Sequence, residues 1–329
     1  MFDIPVVLFI FRRQNTLPAI MERIAQIRPT KMYIMADAGR NELEKAEAEQ
    51  CRKTVESLIT WECEVIKNYA DENRGVYRNI GEGAKWIFSR EEKAIFIEDD
   101  NLPEISFFAY AKDLLEKYKE EDSVLWICGT NYFTEIDSEY SYVFTKHLLP
   151  CGWASWGGKF LKYYDGDLDQ FSKKIKKKVF FKSYASRLLA FYQFQSIKNE
   201  YFRKQHVKPF KSWDFQMLWS IRSNNLFGVM PLRNQITNIG VDDYSIHGGN
   251  SKNNIMTNRF CEVPSKEMEF PLKHPSEIKI DDNIERKLGD IICPPIKNVM
   301  HKIISSRLKH MFNLDSNVSL KMILRKRDS

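Results

Sequence analysis

Ala94-Ile-Phe-Ile-Glu-Asp-Asp-Asn-Leu-Pro-Glu-Ile-Ser-Phe-Phe-Ala-Tyr110 is the stretch on which the fold turns. Residues 94–97 are uniformly apolar, as a short strand covered on both faces should be. Three acids follow without a break, then Pro103, then a segment over 106–118 with Phe107, Phe108, Leu114, Leu115 and Tyr118 at helical spacing. A strand that runs into a turn and then a helix puts Glu98, Asp99 and Asp100 beyond a carboxyl end of the sheet, where open α/β sheets bind ligands. Adjacent carboxylates repel unless a positive charge joins them. A hard divalent ion, Mn²⁺ or Mg²⁺, removes that cost and takes the rest of its ligands from phosphate oxygens. The competing reading is a solvated acidic turn in which Asp100 or Asn101 begins the next helix.

Outward from this stretch, the first 130 residues alternate strand and helix signals. Residues 6–11 are an apolar run. Thr16 and Pro18 are placed to start a helix. Residues 32–36 read as a second strand, ending at Asp37-Ala-Gly-Arg40. Residues 42–58 look helical, 63–66 are a weaker strand, 81–88 a helix, and 124–128 a further strand. The alternation predicts an α/β fold, with a mostly parallel sheet flanked by helices. After residue 130 aromatic residues and lysine dominate, with a basic run at 173–178. Residues 256–295 are punctuated by proline and are expected to wrap the surface.

The 329 residues carry a formal net charge of +6. Residues 296–329 hold eight Lys/Arg against two Asp and so account for all of it; the body before them holds 42 of each sign. A terminal excess of this kind argues against a nucleic-acid-binding face. None of the six cysteines forms a Cys-x-x-Cys pair, which points to reduced thiols rather than disulfides or zinc. No run approaches the roughly 20 apolar residues of a membrane span, and the expected location is cytoplasmic.

The 94–118 stretch resembles the segment around the acidic metal motif of the GT-A glycosyltransferases, in particular N-acetylglucosaminyltransferase I and the bacterial sugar transferases of polysaccharide gene clusters. The resemblance extends from about residue 5 to 290. It implies a GT-A (Rossmann-like) fold with Asp100 as metal ligand, and with Glu98 and Asp99 near the ribose, donor sugar or metal-bound waters. Val6-Val-Leu-Phe-Ile-Phe-Arg-Arg13 resembles the family's first strand, and Asp37-Ala-Gly-Arg40 its Asp-Gly-Pro-like turn; Phe11, Arg12, Asp37 and Arg40 would then line the nucleoside pocket. Arg74 and Arg78 resemble cations facing the diphosphate, against a plain reading as surface charge. Cys151-Gly-Trp-Ala-Ser-Trp-Gly157 is similar to the family's Gly-Trp-Ala-Thr-Trp motif, so that Trp153 and Trp156 would stack on sugar or else pack the core. Ser212-Trp-Asp-Phe-Gln216 resembles the Trp-Asp segment whose carboxylate is the catalytic base. Asp214 is the expected base, with a helix N-cap as the competing role. Asn238-Ile-Gly-Val-Asp-Asp-Tyr-Ser-Ile-His-Gly248 resembles a segment that closes over the donor, with His247 toward diphosphate or metal.

The resemblance divides the chain into a nucleotide-sugar-binding half (1–130), an acceptor-binding and catalytic half (131–255), a surface-wrapping extension (256–295) and a basic amphipathic helical tail (296–329). It implies a metal-dependent, inverting transferase that moves a hexose or N-acetylhexosamine from a nucleotide donor, by default a UDP-sugar. The acceptor would be a glycan or lipid-linked glycan in bacterial polysaccharide biosynthesis. In the tail, Ile296, Val299, Met300, Ile303, Ile304, Leu308, Met311 and Phe312 form an apolar stripe, with Lys297, Lys302 and Lys309 away from it. Such a helix either lies on an anionic membrane, here the inner face of the plasma membrane, or docks on its own domain. Two other functions stand beside the main one. A sugar-nucleotide nucleotidyltransferase would carry a glycine-rich basic loop after its first strand, and Phe11-Arg-Arg-Gln-Asn15 has no glycine. A non-catalytic glycan- or membrane-binding protein could retain the fold.

Overall fold

The structure, a computed structural model, describes residues 1–241, 260–312 and 314. Its first part is built from β1 (Val6–Ile10), α1 (Leu17–Ile27), β2 (Lys31–Ala36), α2 (Glu42–Leu58), β3 (Glu64–Tyr69), a π-helical turn Tyr77–Glu82, α3 (Gly83–Phe88), β4 (Lys93–Glu98), β5 (Asn101–Pro103), α4 (Ile105–Lys117) and β6 (Val124–Cys128). Then come β7 (Tyr142–Thr145), β8 (Trp153–Trp156), α5 (Gly157–Tyr163), α6 (Lys174–Lys182), α7 (Arg187–Gln205), α8 (Asp214–Ser223), β9 (Phe227–Pro231), β10 (Ile236–Asn238), α9 (Asp282–Ile292) and α10 (Ile296–Met311).

Eight strands form one sheet in the order β3-β2-β1-β4-β8-β6-β9-β7, and β10 pairs with β5 in a two-stranded ribbon. β1, β2, β3 and β4 run parallel, as do β6 and β9, while β8 enters antiparallel between β4 and β6 and β7 antiparallel at the edge. The apolar run of β1 is explained by its place: Val6, Leu8 and Ile10 belong to a core shared with α1, α2 and α4, and Val7 and Phe9 to a second core shared with α3, α5 and α8. Successive side chains of a strand point to opposite faces, so a strand covered on both must be apolar throughout. Strands from either side of residue 130 thus share one sheet.

Local signals set several boundaries. Asn41 Oδ1 accepts the Glu44 amide at 3.0 Å and starts α2; Asp281 Oδ1 accepts the Asn283 and Ile284 amides and starts α9. Thr16 does not cap α1 as expected. Its own backbone is helical, and its hydroxyl donates to the carbonyls of Asp99 and Arg13 instead, tying β1's end to the acidic turn. The helix expected over 81–88 is split, since Tyr77–Glu82 is a π-helical turn and α3 starts only at Gly83. α4 has no cap of its own. The Glu267 carboxylate accepts the Ile105 and Ser106 amides at 3.1 and 3.0 Å from more than 160 residues away. The chain around it straps Gln235, whose Nε2 donates to Lys266 O at 2.7 Å.

The tail helix α10 packs on α7. Lys302 Nζ donates to Ser196 Oγ, Asn199 Nδ2 donates to Ser306 Oγ at 3.2 Å, and the His310 ring stacks on Phe202 at 4.1 Å. Among the described residues no helix is long and apolar enough to cross a membrane, and all six cysteines are free thiols.

Candidate active site

The carboxyl ends of β1, β2 and β4 open into a cavity of about 700 Å³. Of the residues singled out in the sequence, Phe11, Arg12, Asp37, Arg40, Glu98, Asp99, Asp100 and Asp214 line it. Arg74, Arg78, Trp153 and Trp156 are not among its lining residues, and His247 lies outside the described residues.

On the sheet side, charges are held by charges and amides. Asp99 Oδ2 accepts the Phe11 amide at 2.9 Å, and its Oδ1 accepts Arg13 Nη1 at 2.9 Å. The same Nη1 reaches Asp100 Oδ2 at 3.2 Å, and Asn101 Nδ2 donates to Asp100 Oδ1 at 2.5 Å. Asp37, almost wholly buried, accepts the Ala38 and Arg74 amides on Oδ1 at 2.8 and 2.7 Å, and Gly75 N and Asn73 Nδ2 on Oδ2 at 2.9 and 3.1 Å. With both oxygens filled, Asp37 organises the 73–75 loop. Arg40 and Arg12 converge on Glu44, at 2.6 and 3.0 Å; the Arg40 hydrogen bonds are the main reason that carboxyl is held down at about 2. Arg74 is anchored by its backbone and by Nη1 to Asn68 Oδ1 at 2.8 Å, and Arg78 is exposed.

Glu98 differs from its neighbours. Among the described residues nothing donates to its side chain. Burial, followed by the charges of Asp100, Asp99 and Asp214, pushes its pKa well up, with Arg13 pulling the other way. Burial likewise raises Asp99 to about 6 in spite of the Arg13 guanidinium. Five carboxylates, Asp37, Glu98, Asp99, Asp100 and Asp214, thus face one cavity, with Arg13 as the cation that bridges two of them. Gly240 closes this corner: a Cβ there would lie 2.7 Å from Asp100 Oδ2, so only glycine lets that backbone pass. Among the described residues no group of three or more His, Cys, Asp or Glu is arranged to hold a metal ion.

Asp214 is the first residue of α8 and lines the same cavity from the helical side. The helix-start role belongs to Ser212, whose Oγ accepts the Phe215 amide at 2.9 Å and donates its proton to Asp214 Oδ1. Asp214 is therefore not the cap. Trp213, just before it, also lines the cavity and ends an aromatic column through the core: Phe96 stacks on Trp153 at 3.8 Å, Trp153 on Trp126 at 4.1 Å, and Trp213 lies 5.7 Å from Trp153.

That column corrects the expectation of sugar stacking for the two tryptophans of the Gly-Trp-Ala-Ser-Trp run. Trp153 is 1% exposed and fills the sheet's centre. Trp156 donates Nε1 to Leu115 O at 2.8 Å and underlies Lys159, whose ammonium sits 3.8 Å from its ring and donates to the carbonyls of Tyr118, Glu121 and Val124. Together they staple the end of α4 to β8. Gly152, at φ +59°, turns the chain into β8 where a Cβ would strike Ile236 at 2.5 Å.

Two wall residues were missed from sequence. Arg13 stands beside Arg12 in an undifferentiated pair, and only the path of β1's end sends one toward Glu44 and the other to the acids. Asn79 lines the cavity from the π-helical turn with its Oδ1 buried and, among the described residues, without a partner. Its nearest sequence signal was the glycine-bearing run 74–81, which carries no mark of such a turn.

No protein-family model matches the chain, and no curated protein does. Solved structures with similarity include a UDP-glucose pyrophosphorylase complexed with UDP-glucose (12% identity, TM-score 0.37, 72% of this chain and 94% of that one). A mannosyltransferase from Pyrobaculum calidifontis in complex with GDP-Man and Mn²⁺ is 13% identical (TM-score 0.35, 67% and 68%). A 4-diphosphocytidyl-2C-methyl-D-erythritol synthase from Anaerococcus prevotii DSM 20548 is 9% identical (TM-score 0.34, 53% and 79%). Similarities this slight leave the functional reading to the chain's own residues.

Proposed function

We propose that this chain is a metal-dependent, inverting glycosyltransferase of the GT-A type. It would take a sugar, by default a hexose or N-acetylhexosamine, from a nucleotide diphosphate and pass it to a glycan or lipid-linked glycan. The observation that carries the reading is the placement of Asp214. One carboxylate, relieved of capping by Ser212, faces the same cavity as the Glu98–Asp100 turn but from another wall. Transfer with inversion needs that division of labour, with charge stabilisation on the leaving-group side and a general base on the acceptor side.

The acidic turn suits a divalent cation. Glu98 lacks a donor among the described residues, and the local charge is negative in excess. Mg²⁺-like ions commonly take one or two carboxylates and leave their other positions to substrate phosphates and water, so three protein ligands are not required. Asp100, with Glu98 beside it, would hold Mn²⁺ or Mg²⁺, and His247 is a further candidate. The ion when bound supplies Lewis-acid stabilisation of the departing nucleotide diphosphate. Asp99 and Arg13 keep the turn in place, Asp37 orders the loop that closes the nucleoside side, and Asp214 accepts the proton of the attacking hydroxyl. Tyr132, Trp213 and Phe215 give that wall an apolar lining that excludes water.

Thermal-shift screening of nucleotide sugars tests this. One donor should raise the melting temperature in Mn²⁺ and fail to in excess chelator; saturation at about 100 times Kd corresponds to about 2.7 kcal/mol. Product analysis then separates the chemistries, since glycosyl transfer releases a nucleoside diphosphate, whereas a nucleotidyltransferase consumes a triphosphate and releases pyrophosphate. No metal-dependent shift with any nucleotide sugar would end the proposal, and a shift without turnover would favour a binding protein.

A further inference from the structure

The sequence treats the apolar residues of α10 as one stripe, but the structure divides them. Val299, Lys302, Ser305 and Ser306 face α7, and Val299 is fully buried. The outward arc carries Ile296, Met300, Ile304, Leu308 and Met311, between 38% and 75% exposed, with Phe312 just beyond at 61%. At 100° per residue, Arg307 falls within that arc, and so does Lys297, which corrects the expectation that it lies away from the stripe; both are exposed. No Asp or Glu occurs between Ile296 and Phe312. The helix is thus fastened by a polar face and turns its apolar face to solvent, the reverse of an ordinary surface helix.

We propose that this outward face of α10 is a docking surface for an anionic lipid bilayer. An apolar ridge with interspersed bases and no acid matches the two attractions of such a surface, acyl-chain burial and headgroup charge. A protein groove would satisfy the ridge but has no need of bases free of acids along four turns. The position is apt as well. Lys302, on the opposite side of the helix, lies 4.0 Å from the Tyr192 ring and 5.7 Å from Phe215, and both of those residues line the cavity. A bilayer under α10 would lie about one helix diameter, roughly 10 Å, from the cavity wall. For the transfer reaction proposed above, which this consequence alone rests on, a lipid-linked acceptor would arrive there.

The test uses the full-length protein with vesicles of phosphatidylcholine alone or with 30% phosphatidylglycerol, read by co-sedimentation without nucleotide, so its outcome is independent of the enzymatic reading. Binding is expected to the anionic vesicles and to weaken as salt rises. The M300D/I304D variant should lower the partition coefficient at least tenfold with its melting temperature unchanged. K297E/R307E, which leaves the ridge intact, should lose the preference for anionic lipid. Failure to bind anionic vesicles, or equal binding by the parent and both variants, would overturn the proposal. So would a dimer in sedimentation velocity that M300D/I304D abolishes, because a second copy would then cover the ridge.

Discussion

The two walls of the cavity hold their charges in opposite ways. On the sheet wall Asp37 receives four hydrogen bonds, Asp99 receives an amide and a guanidinium, and Glu44 gathers two arginines. On the helical wall the partner found for Asp214 among the described residues is the Ser212 hydroxyl, and behind that wall Lys302 donates to Ser196 and lies against the Tyr192 ring. A carboxylate with all its lone pairs engaged by fixed donors is a structural pin. One held by a single hydroxyl can exchange a proton with a ligand. The contrast sets Asp214 apart from Asp37 and Asp99 among the five acids that face the cavity and supports the proposal that it is the base, while Glu98, with no donor among the described residues, is left to the proposed cation.

The largest effect should come from the loosely held acid. Asp214→Asn is expected to lower kcat by about 10²–10⁴-fold while the donor-induced thermal shift remains; a variant with near-parental turnover would remove the distinction between the walls. Next comes the pin. Arg13→Met leaves Asp99 and Asp100 without their shared cation and should cost about 3–5 kcal/mol in urea unfolding at neutral pH. Acidification should reduce that deficit, since protonated acids no longer need the guanidinium. A loss below 1 kcal/mol would show that the sheet wall is held by its amides alone.

The smallest effect should have the opposite sign. Burial depresses Lys302 to about 8, with the Asp214 charge opposing it. A base whose folded pKa lies below its unfolded value costs stability when charged. That cost is fully present below pH 8 and disappears as pH rises toward 10.5. Lys302→Met should therefore stabilise the protein by about 1 kcal/mol at pH 7 and flatten the rise in stability between pH 8 and 10. Destabilisation at pH 7 would mean that the ammonium's contacts with Ser196 and the Tyr192 ring outweigh its desolvation.

Legibility followed the same divide. Residues 42–58 and 124–128 match α2 and β6 end for end, because a long charged amphipathic helix and a doubly covered strand leave unambiguous patterns. β3 was read short. As the outer strand it is half exposed along its length and mixes polar with apolar residues. Trp153 and Trp156 could be sugar platforms or core by sequence alone. Whether an aromatic residue faces a cavity depends on β8 threading between β4 and β6, a pairing between segments about 60 and 25 residues away. The tail gave its helix and its charge but not its orientation.

The order of apolar and acidic residues from 94 to 118 was enough to determine a buried strand, an acidic turn and a helix, because each is a local preference written in consecutive side chains. Only the tertiary structure decided that Asp99 is clamped and Asp214 is not, that Arg13 rather than Arg12 meets the acids, and that Lys302 turns inward while Ile304 turns out. Those outcomes depend on which surfaces the sheet order brings within hydrogen-bond reach, and a hydrogen bond between residues 80 or 100 positions apart leaves no trace in the spacing of either segment.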